Sequence, residues 1–106
     1  MMFLLKASYT AEGTRALLAE GGSIRRSVVQ RMVTGMGGRL EAFYYALGEA
    51  DVYVIAELPD TATATAISLV VNASGAARCS ITVLVPPEEI DAASKKSVSY
   101  RPPGAE

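Results

Sequence analysis

The chain has 106 residues, half of them hydrophobic and a fifth charged, a composition typical of one folded globular domain and not of a disordered segment. Ten basic residues against 11 acidic ones give a net charge of −1, so the basic excess typical of nucleic-acid-binding proteins is missing. The sequence contains no histidine, the commonest general base and transition-metal ligand. We therefore expect no nucleic-acid partner and no cofactor.

Cys79 is the single cysteine, so no intramolecular disulfide can form, and its apolar setting favours a buried hydrophobic role over a nucleophilic one. The first ten residues are apolar for only a few positions and reach Lys6 too early for a signal peptide or a spanning helix. We expect no membrane partner and a cytoplasmic location.

The first half of the chain alternates between strand and helix patterns. Residues Met2 to Tyr9 have the period-two alternation of a strand. A short helical segment follows and stops at Gly21 and Gly22, and Ser23 is the expected N-cap of a second helical segment that ends in the glycines of residues 35–38.

The second half continues with strands, a helix and a further strand. Residues 39–47 and 52–58 alternate and are separated by the turn residues GEAD, which predicts a hairpin. Asp60 is the expected N-cap of the next helix, which ends near Gly75, and residues 78–85 form the last predicted strand.

The C-terminal residues predict a small helix and an extended tail. The segment PPEEIDAASKKS has prolines and acids in its first turn and lysines in its last, as a short helix prefers. The closing SVSYRPPGAE cannot continue a helix because of its paired prolines. We expect one domain over residues 1–96 and an extended tail over residues 97–106.

The order strand, helix, strand, strand, helix, strand is that of a ferredoxin-like βαββαβ fold of class α+β. Its antiparallel sheet has the spatial strand order 4-1-3-2, and both main helices cover one face. The residues expected on the covered face are Phe3, Leu5, Ala7, Leu40, Ala42, Val52, Val54, Ala56, Ile81 and Val83.

The opposite face of the sheet is expected to be too apolar to remain in water. Its expected residues are Met2, Leu4, Lys6, Ser8, Phe43, Tyr45, Tyr53, Ile55, Glu57, Ser80, Thr82 and Leu84. Soluble monomers rarely expose an apolar patch of this size. A homodimer with facing sheets, or a higher even oligomer, is the simplest arrangement that covers it.

Two acidic residues border the third strand. If the first and third strands are parallel neighbours, Lys6 and Glu57 lie near the same end of the uncovered face, where they can form an ion pair that fixes the dimer, meet a ligand's polar group, or remain exposed. Asp51 is expected to close the turn before the strand by accepting hydrogen bonds from backbone amides.

The stretch FYYALGEADVYVIAELPD resembles the signature of the GYD domain family, in which a Gly-Tyr-Asp triplet precedes the third strand and Glu-x-Pro-Asp follows. The matching residues are Gly48, Asp51, Glu57, Pro59 and Asp60, with no tyrosine between Gly48 and Asp51. The resemblance covers most of the chain and implies a dimeric α+β barrel. Related barrels include cofactor-free monooxygenases, isomerases and ligand-sensing modules, so the resemblance implies little about chemistry.

Three functions remain open. The first is a homo-oligomeric module that binds a small, largely apolar molecule between the sheet and its partner. Its expected ligand-binding residues are Lys6, Tyr45, Tyr53, Glu57, Ser80 and Thr82. The second is a cofactor-free enzyme in which Glu57 or Asp51 acts as a base, and the third is a purely structural oligomer whose tail lies over a neighbouring subunit.

Overall fold

A computed structural model describes residues 1–105; Glu106, the last residue of the predicted tail, lies outside the described residues. Four strands and four helices follow one another along the chain. They are β1 (Met2–Tyr9), α1 (Ala11–Glu20), α2 (Gly22–Gly35), β2 (Arg39–Tyr45), β3 (Val52–Glu57), α3 (Thr61–Ala73), β4 (Ala77–Leu84) and α4 (Pro87–Ser94).

The four strands form one antiparallel sheet in the order β2-β3-β1-β4, so the ferredoxin-like fold and the predicted strand order are confirmed. The expectation that β1 and β3 run parallel is wrong, because Met2 pairs with Glu57 and Ala7 with Val52 in an antiparallel register. The helical connection brings β2 back in the direction of β1, and the tight β2–β3 turn then reverses the chain.

Short polar side chains cap the N-termini of α1 and α3, and a glycine precedes α2. Thr10 accepts a hydrogen bond from the Gly13 amide at 3.1 Å and caps α1. Asp60 accepts one from the Thr63 amide at 2.8 Å and caps α3, as predicted. The prediction of Ser23 as a cap is wrong, because the break between α1 and α2 needs a positive φ, which Gly21 adopts at 87°.

The core lies between the helices and one face of the sheet. Its buried residues are Phe3, Leu5, Val33, Val52, Val54, Ala56, Leu58, Ala64 and Ile67. On β1 and β3 these are the alternate positions expected from the period of two, so the covered side of both strands is confirmed.

Strand β2 contains a β-bulge, because the pairs Leu40–Ala56 and Ala42–Ile55 leave Glu41 without an opposite residue on β3. Because of this extra residue, each side chain of β2 after Leu40 lies on the opposite face of the sheet from the one that plain alternation predicts. The prediction that Ala42 faces the helices while Phe43 and Tyr45 face away is therefore wrong. Phe43 packs against the core.

Beyond β4 the chain continues as an exposed segment. We call residues 85–105 the C-terminal arm; it contains α4, and its residues up to 104 are exposed. The radius of gyration is 17.5 Å, whereas a compact domain of this length has about 13 Å. Among the described residues, no helix is both long and apolar enough to cross a lipid bilayer.

Candidate functional site

The face of the sheet that the helices leave uncovered, which we call the open face, carries the candidate site. Its side chains form three rows across β2, β3, β1 and β4, because directly paired residues of neighbouring strands share a face. From one end of the sheet to the other, the rows are Tyr44, Tyr53, Lys6 and Ser80; Ala42, Ile55, Leu4 and Thr82; and Arg39, Glu57, Met2 and Leu84.

Lys6 lies in the first row between Tyr53 and Ser80, each on a strand about 4.8 Å away. Both salt bridges found within residues 1–105 belong to Arg39, so no carboxylate in this part of the chain lies within 4.0 Å of the Lys6 ammonium. Lys6 is therefore a half-buried cation flanked by hydroxyl groups and without an acidic partner in the described chain.

A hollow of about 420 Å³, the Lys6 hollow, lies beside this row. Its polar lining includes Lys6, Ser8, Arg78, Ser80 and Glu49. Arg78 stands opposite Ser8 in the β1–β4 pairing and so adds a second cation at this end of the open face. Sequence reasoning missed Arg78, although it lies two residues before Ser80 and so on the same side of β4.

Glu57 does not pair with Lys6. Its carboxylate accepts a hydrogen bond from the Arg39 guanidinium at 3.0 Å, and Arg39 also contacts Glu41 in the bulge. Because β1 and β3 are antiparallel, Glu57 stands opposite Met2, four residues and about 13 Å along the strand from Lys6. The expected placement of Lys6 and Glu57 at the same end is wrong, and each end of the open face has its own charge arrangement.

Asp51 lies away from the open-face rows. Its Oδ2 accepts a hydrogen bond from the Tyr9 amide at 2.8 Å, and its own amide donates to the Ala7 carbonyl at 2.9 Å. The carboxylate does bind a backbone amide, as predicted, but that amide belongs to the end of β1, 42 residues away. Asp51 therefore fastens the β2–β3 turn to the neighbouring strand.

Tyr45 lies on the helix side of the sheet as a result of the bulge. Its hydroxyl donates to the Gly22 carbonyl at 3.0 Å. Burial raises the pKa of Tyr9, the neighbouring phenol of Tyr45 raises it further, and the charge of Arg25 opposes both effects. The structure thus separates Tyr45 from Lys6, Tyr53, Ser80 and Thr82, which it brings together.

The opposite end of the open face has a second hollow of about 520 Å³ at the base of the C-terminal arm. It is mainly apolar and is lined by Met1, Met2, Leu84, Val85 and Pro86, with Glu57 and Glu89 as its charged members. Within residues 1–105, no cluster of three or more cysteine, aspartate and glutamate side chains could hold a metal ion.

The fold and this face define a ferredoxin-like α+β domain with one uncovered and largely apolar sheet face. The chain belongs to the GYD domain family, whose family model matches residues 3–94. This match extends from β1 to the end of α4 and confirms the resemblance. A search of curated proteins and a search of solved structures each give no significant match.

Proposed function

We propose that the protein is a homo-oligomer that binds a small, largely apolar molecule with one anionic group between its open face and a partner copy. One observation carries this proposal. An apolar row containing Leu4 and Ile55 adjoins a row in which Lys6 has no acidic partner among the described residues. Apolar pockets with a few convergent polar groups are typical of small-molecule sites.

The apolar part of the open face supports the homo-oligomer. Leu4, Ile55 and Met2 are only half-buried in the single chain, although they occupy the central strands of the sheet. Extended apolar surface of this kind is usually covered in soluble proteins. A second copy supplies a matching face, and two facing sheets about 10 Å apart enclose a cavity wherever their side chains are small.

The charges at the two ends of the open face support an anionic ligand. At one end Arg39 contacts both Glu57 and Glu41, so its cation is already matched by carboxylates and does not favour an anion there. At the other end Lys6 and Arg78 outnumber Glu49 in the hollow they share. A carboxylate or sulfonate near Lys6 can also accept hydrogen bonds from the hydroxyl groups of Tyr53 and Ser80.

The geometry gives no specific support to the second reading, a cofactor-free enzyme with Glu57 or Asp51 as base. Glu57 accepts a hydrogen bond from a guanidinium, and its side chain is 49% exposed. Asp51 accepts a hydrogen bond from a backbone amide. A general base must be free to take a proton from a substrate, whereas each of these carboxylates already accepts a hydrogen bond from a protein donor.

A pair of fluorescent probes tests the proposal. The anionic probe is 8-anilinonaphthalene-1-sulfonate, and the neutral probe is N-phenyl-1-naphthylamine, which has the same apolar rings. Replacing Lys6 with glutamine should raise the dissociation constant of the anionic probe about tenfold, as expected for losing one charged hydrogen bond, and leave that of the neutral probe unchanged. Arg31→Gln is the matched control, because it removes the same charge from an exposed position of helix α2, away from the open face.

Native mass spectrometry of the gently purified protein tests the oligomer at the same time. An even oligomer that retains an anionic small molecule is the expected result. A monomer would contradict the proposal, and so would equal weakening of anionic probe binding by Lys6→Gln and Arg31→Gln. An oligomer that binds neither probe would instead favour the structural reading, in which the partner fills the open face completely.

A further inference from the structure

Strand β4 lies at the edge of the sheet, and within residues 1–105 a side chain closes its outer backbone groups at one position, Cys79. The Asn72 carboxamide donates to the Cys79 carbonyl at 3.0 Å and accepts from the Cys79 amide at 2.7 Å. One side chain of α3 thus makes, at Cys79, the two hydrogen bonds that a neighbouring strand would make there.

The positions beyond Cys79 are open. Since the N–H and C=O groups of Cys79 point away from β1, those of Ile81 and Val83 point the same way in an antiparallel ladder. Within residues 1–105, no hydrogen-bond partner is found for these outward groups. Four donors and acceptors therefore form a short template for a further strand.

An apolar groove runs beside this free edge. It has a volume of about 290 Å³ and lies between α3 and β4, with Phe3, Ala64, Leu69, Ile81 and Val83 in its lining. Leu69 is 66% exposed and Val83 47% exposed. Backbone groups and an apolar groove that lie side by side are the two components of β-strand addition.

The C-terminal arm contains a segment that fits such a template. Residues 97–101, SVSYR, alternate between polar and apolar side chains, with Val98 and Tyr100 on one side of an extended chain. Val98 is 79% and Tyr100 67% exposed, and the segment has no helical or strand partner within the described residues. Pro102 follows and cannot donate to a ladder, so the matching segment ends there.

We propose that residues 97–101 of one copy add as a fifth strand to the β4 edge of a partner copy. Val98 and Tyr100 enter the partner's groove between α3 and β4, while Ser97, Ser99 and Arg101 face away from it. Asn72 sets the end of the added strand by occupying the edge at Cys79. This contact lies at the edge of the sheet and does not depend on the ligand proposed for the open face.

The exposed area and the direction of the arm favour a partner copy over the same chain. The chain exposes 7,481 Å², whereas a compact monomer of this size exposes about 5,700 Å². The excess of roughly 1,800 Å² per chain lies in the range that subunits of obligate oligomers bury. The arm leads away from its own domain, so that the molecule measures 61 × 32 × 24 Å.

Amide hydrogen exchange of the full chain tests this inference through the amides of Ile81 and Val83. The double variant Val98→Glu/Tyr100→Glu places charges in the proposed groove. Its matched control, Ser97→Glu/Ser99→Glu, adds the same charge on the other side of the same segment. We expect exchange at Ile81 and Val83 at least about tenfold faster in the first variant than in the wild type, and unchanged in the control.

Fast exchange at Ile81 and Val83 in the wild-type oligomer would overturn the inference, as would equal exchange in the two double variants. Protection that persists in a protein with the mass of a monomer would also overturn it, because the strand would then come from the same chain. Binding of the anionic probe at Lys6 reports separately on the open face, so failure of one proposal can be distinguished from failure of the other.

Discussion

Replacing Gly13 with alanine should destabilise the protein, although alanine favours a helix over glycine by about 1 kcal/mol. Gly13 lies in the first turn of α1, where an added Cβ would come within 2.0 Å of the Ala76 carbonyl oxygen. That oxygen belongs to the backbone and accepts a hydrogen bond from the Thr10 amide at 3.1 Å. The start of α1 must therefore move away from the α3–β4 turn.

The movement needed is at least about 1 Å, and it weakens the contacts that Thr10 makes with Gly75 and Ala76. Losing two hydrogen bonds costs about 2 kcal/mol, and overpacking adds about 1 kcal/mol. After subtracting the gain in helix propensity, we expect the free energy of unfolding to fall by about 2 kcal/mol.

Urea denaturation at one fixed protein concentration measures this change, since the stability of the proposed oligomer depends on concentration. Gly35→Ala is the matched control, because an added Cβ at the last residue of α2 meets no atom within 4 Å. We expect that control to leave stability unchanged or to raise it by up to about 0.5 kcal/mol. If Gly13→Ala were as stable as the wild type or more stable, there would be room for a Cβ between Gly13 and the Ala76 carbonyl, which would refute the argument.

Three further predictions concern single polar groups. Asp51→Ala should lower the free energy of unfolding by about 1–2 kcal/mol in urea denaturation, because the Tyr9 amide loses its acceptor; an unchanged midpoint would contradict the role of Asp51. Asp60→Ala should lower the thermal midpoint more at about pH 6 than at about pH 3. Hydrogen bonds from Thr63 hold the pKa of Asp60 below its usual value, so the stability that the charged carboxylate contributes is lost as the pH falls through that pKa. A difference in thermal midpoint that does not depend on pH would refute this. Burial raises the pKa of the Cys79 thiol, so a disulfide reagent should label it more than tenfold faster after unfolding at about pH 8, and equal rates would contradict its burial.

Local pattern and chain order were sufficient to predict most of the fold. The alternation in β1 and β3 identified the residues that pack against the helices, because a strand without a bulge keeps its period of two. The order of elements identified the sheet as ferredoxin-like. The predicted cap of α3 was local as well, since the Asp60 side chain accepts a hydrogen bond from an amide three residues ahead.

The predictions were wrong where a side chain's position depends on how two strands pair, because strand pairing cannot be read from the sequence of one strand. The bulge at Glu41 is a property of the pairing of β2 with β3, and it moved both Phe43 and Tyr45 from the expected open face to the helix side. The direction of β3 relative to β1 decided that Glu57 meets Arg39 and not Lys6. Lys6, Tyr53, Ser80 and Thr82 were nevertheless expected on the open face, because β1, β3 and β4 keep their alternation.

The bulge also has a consequence for comparing this chain with others of its family. A relative that lacked one residue between Leu40 and Ala42 would keep a plain alternation along this strand, so the fifth residue after its counterpart of Leu40 would lie on the open face, whereas Tyr45, the fifth residue after Leu40 here, lies on the helix side. An alignment that allows no gap in this strand would then equate a residue of the open face with one that packs on the helix side. Insertions and deletions at this single position therefore determine which aromatic residues can be compared.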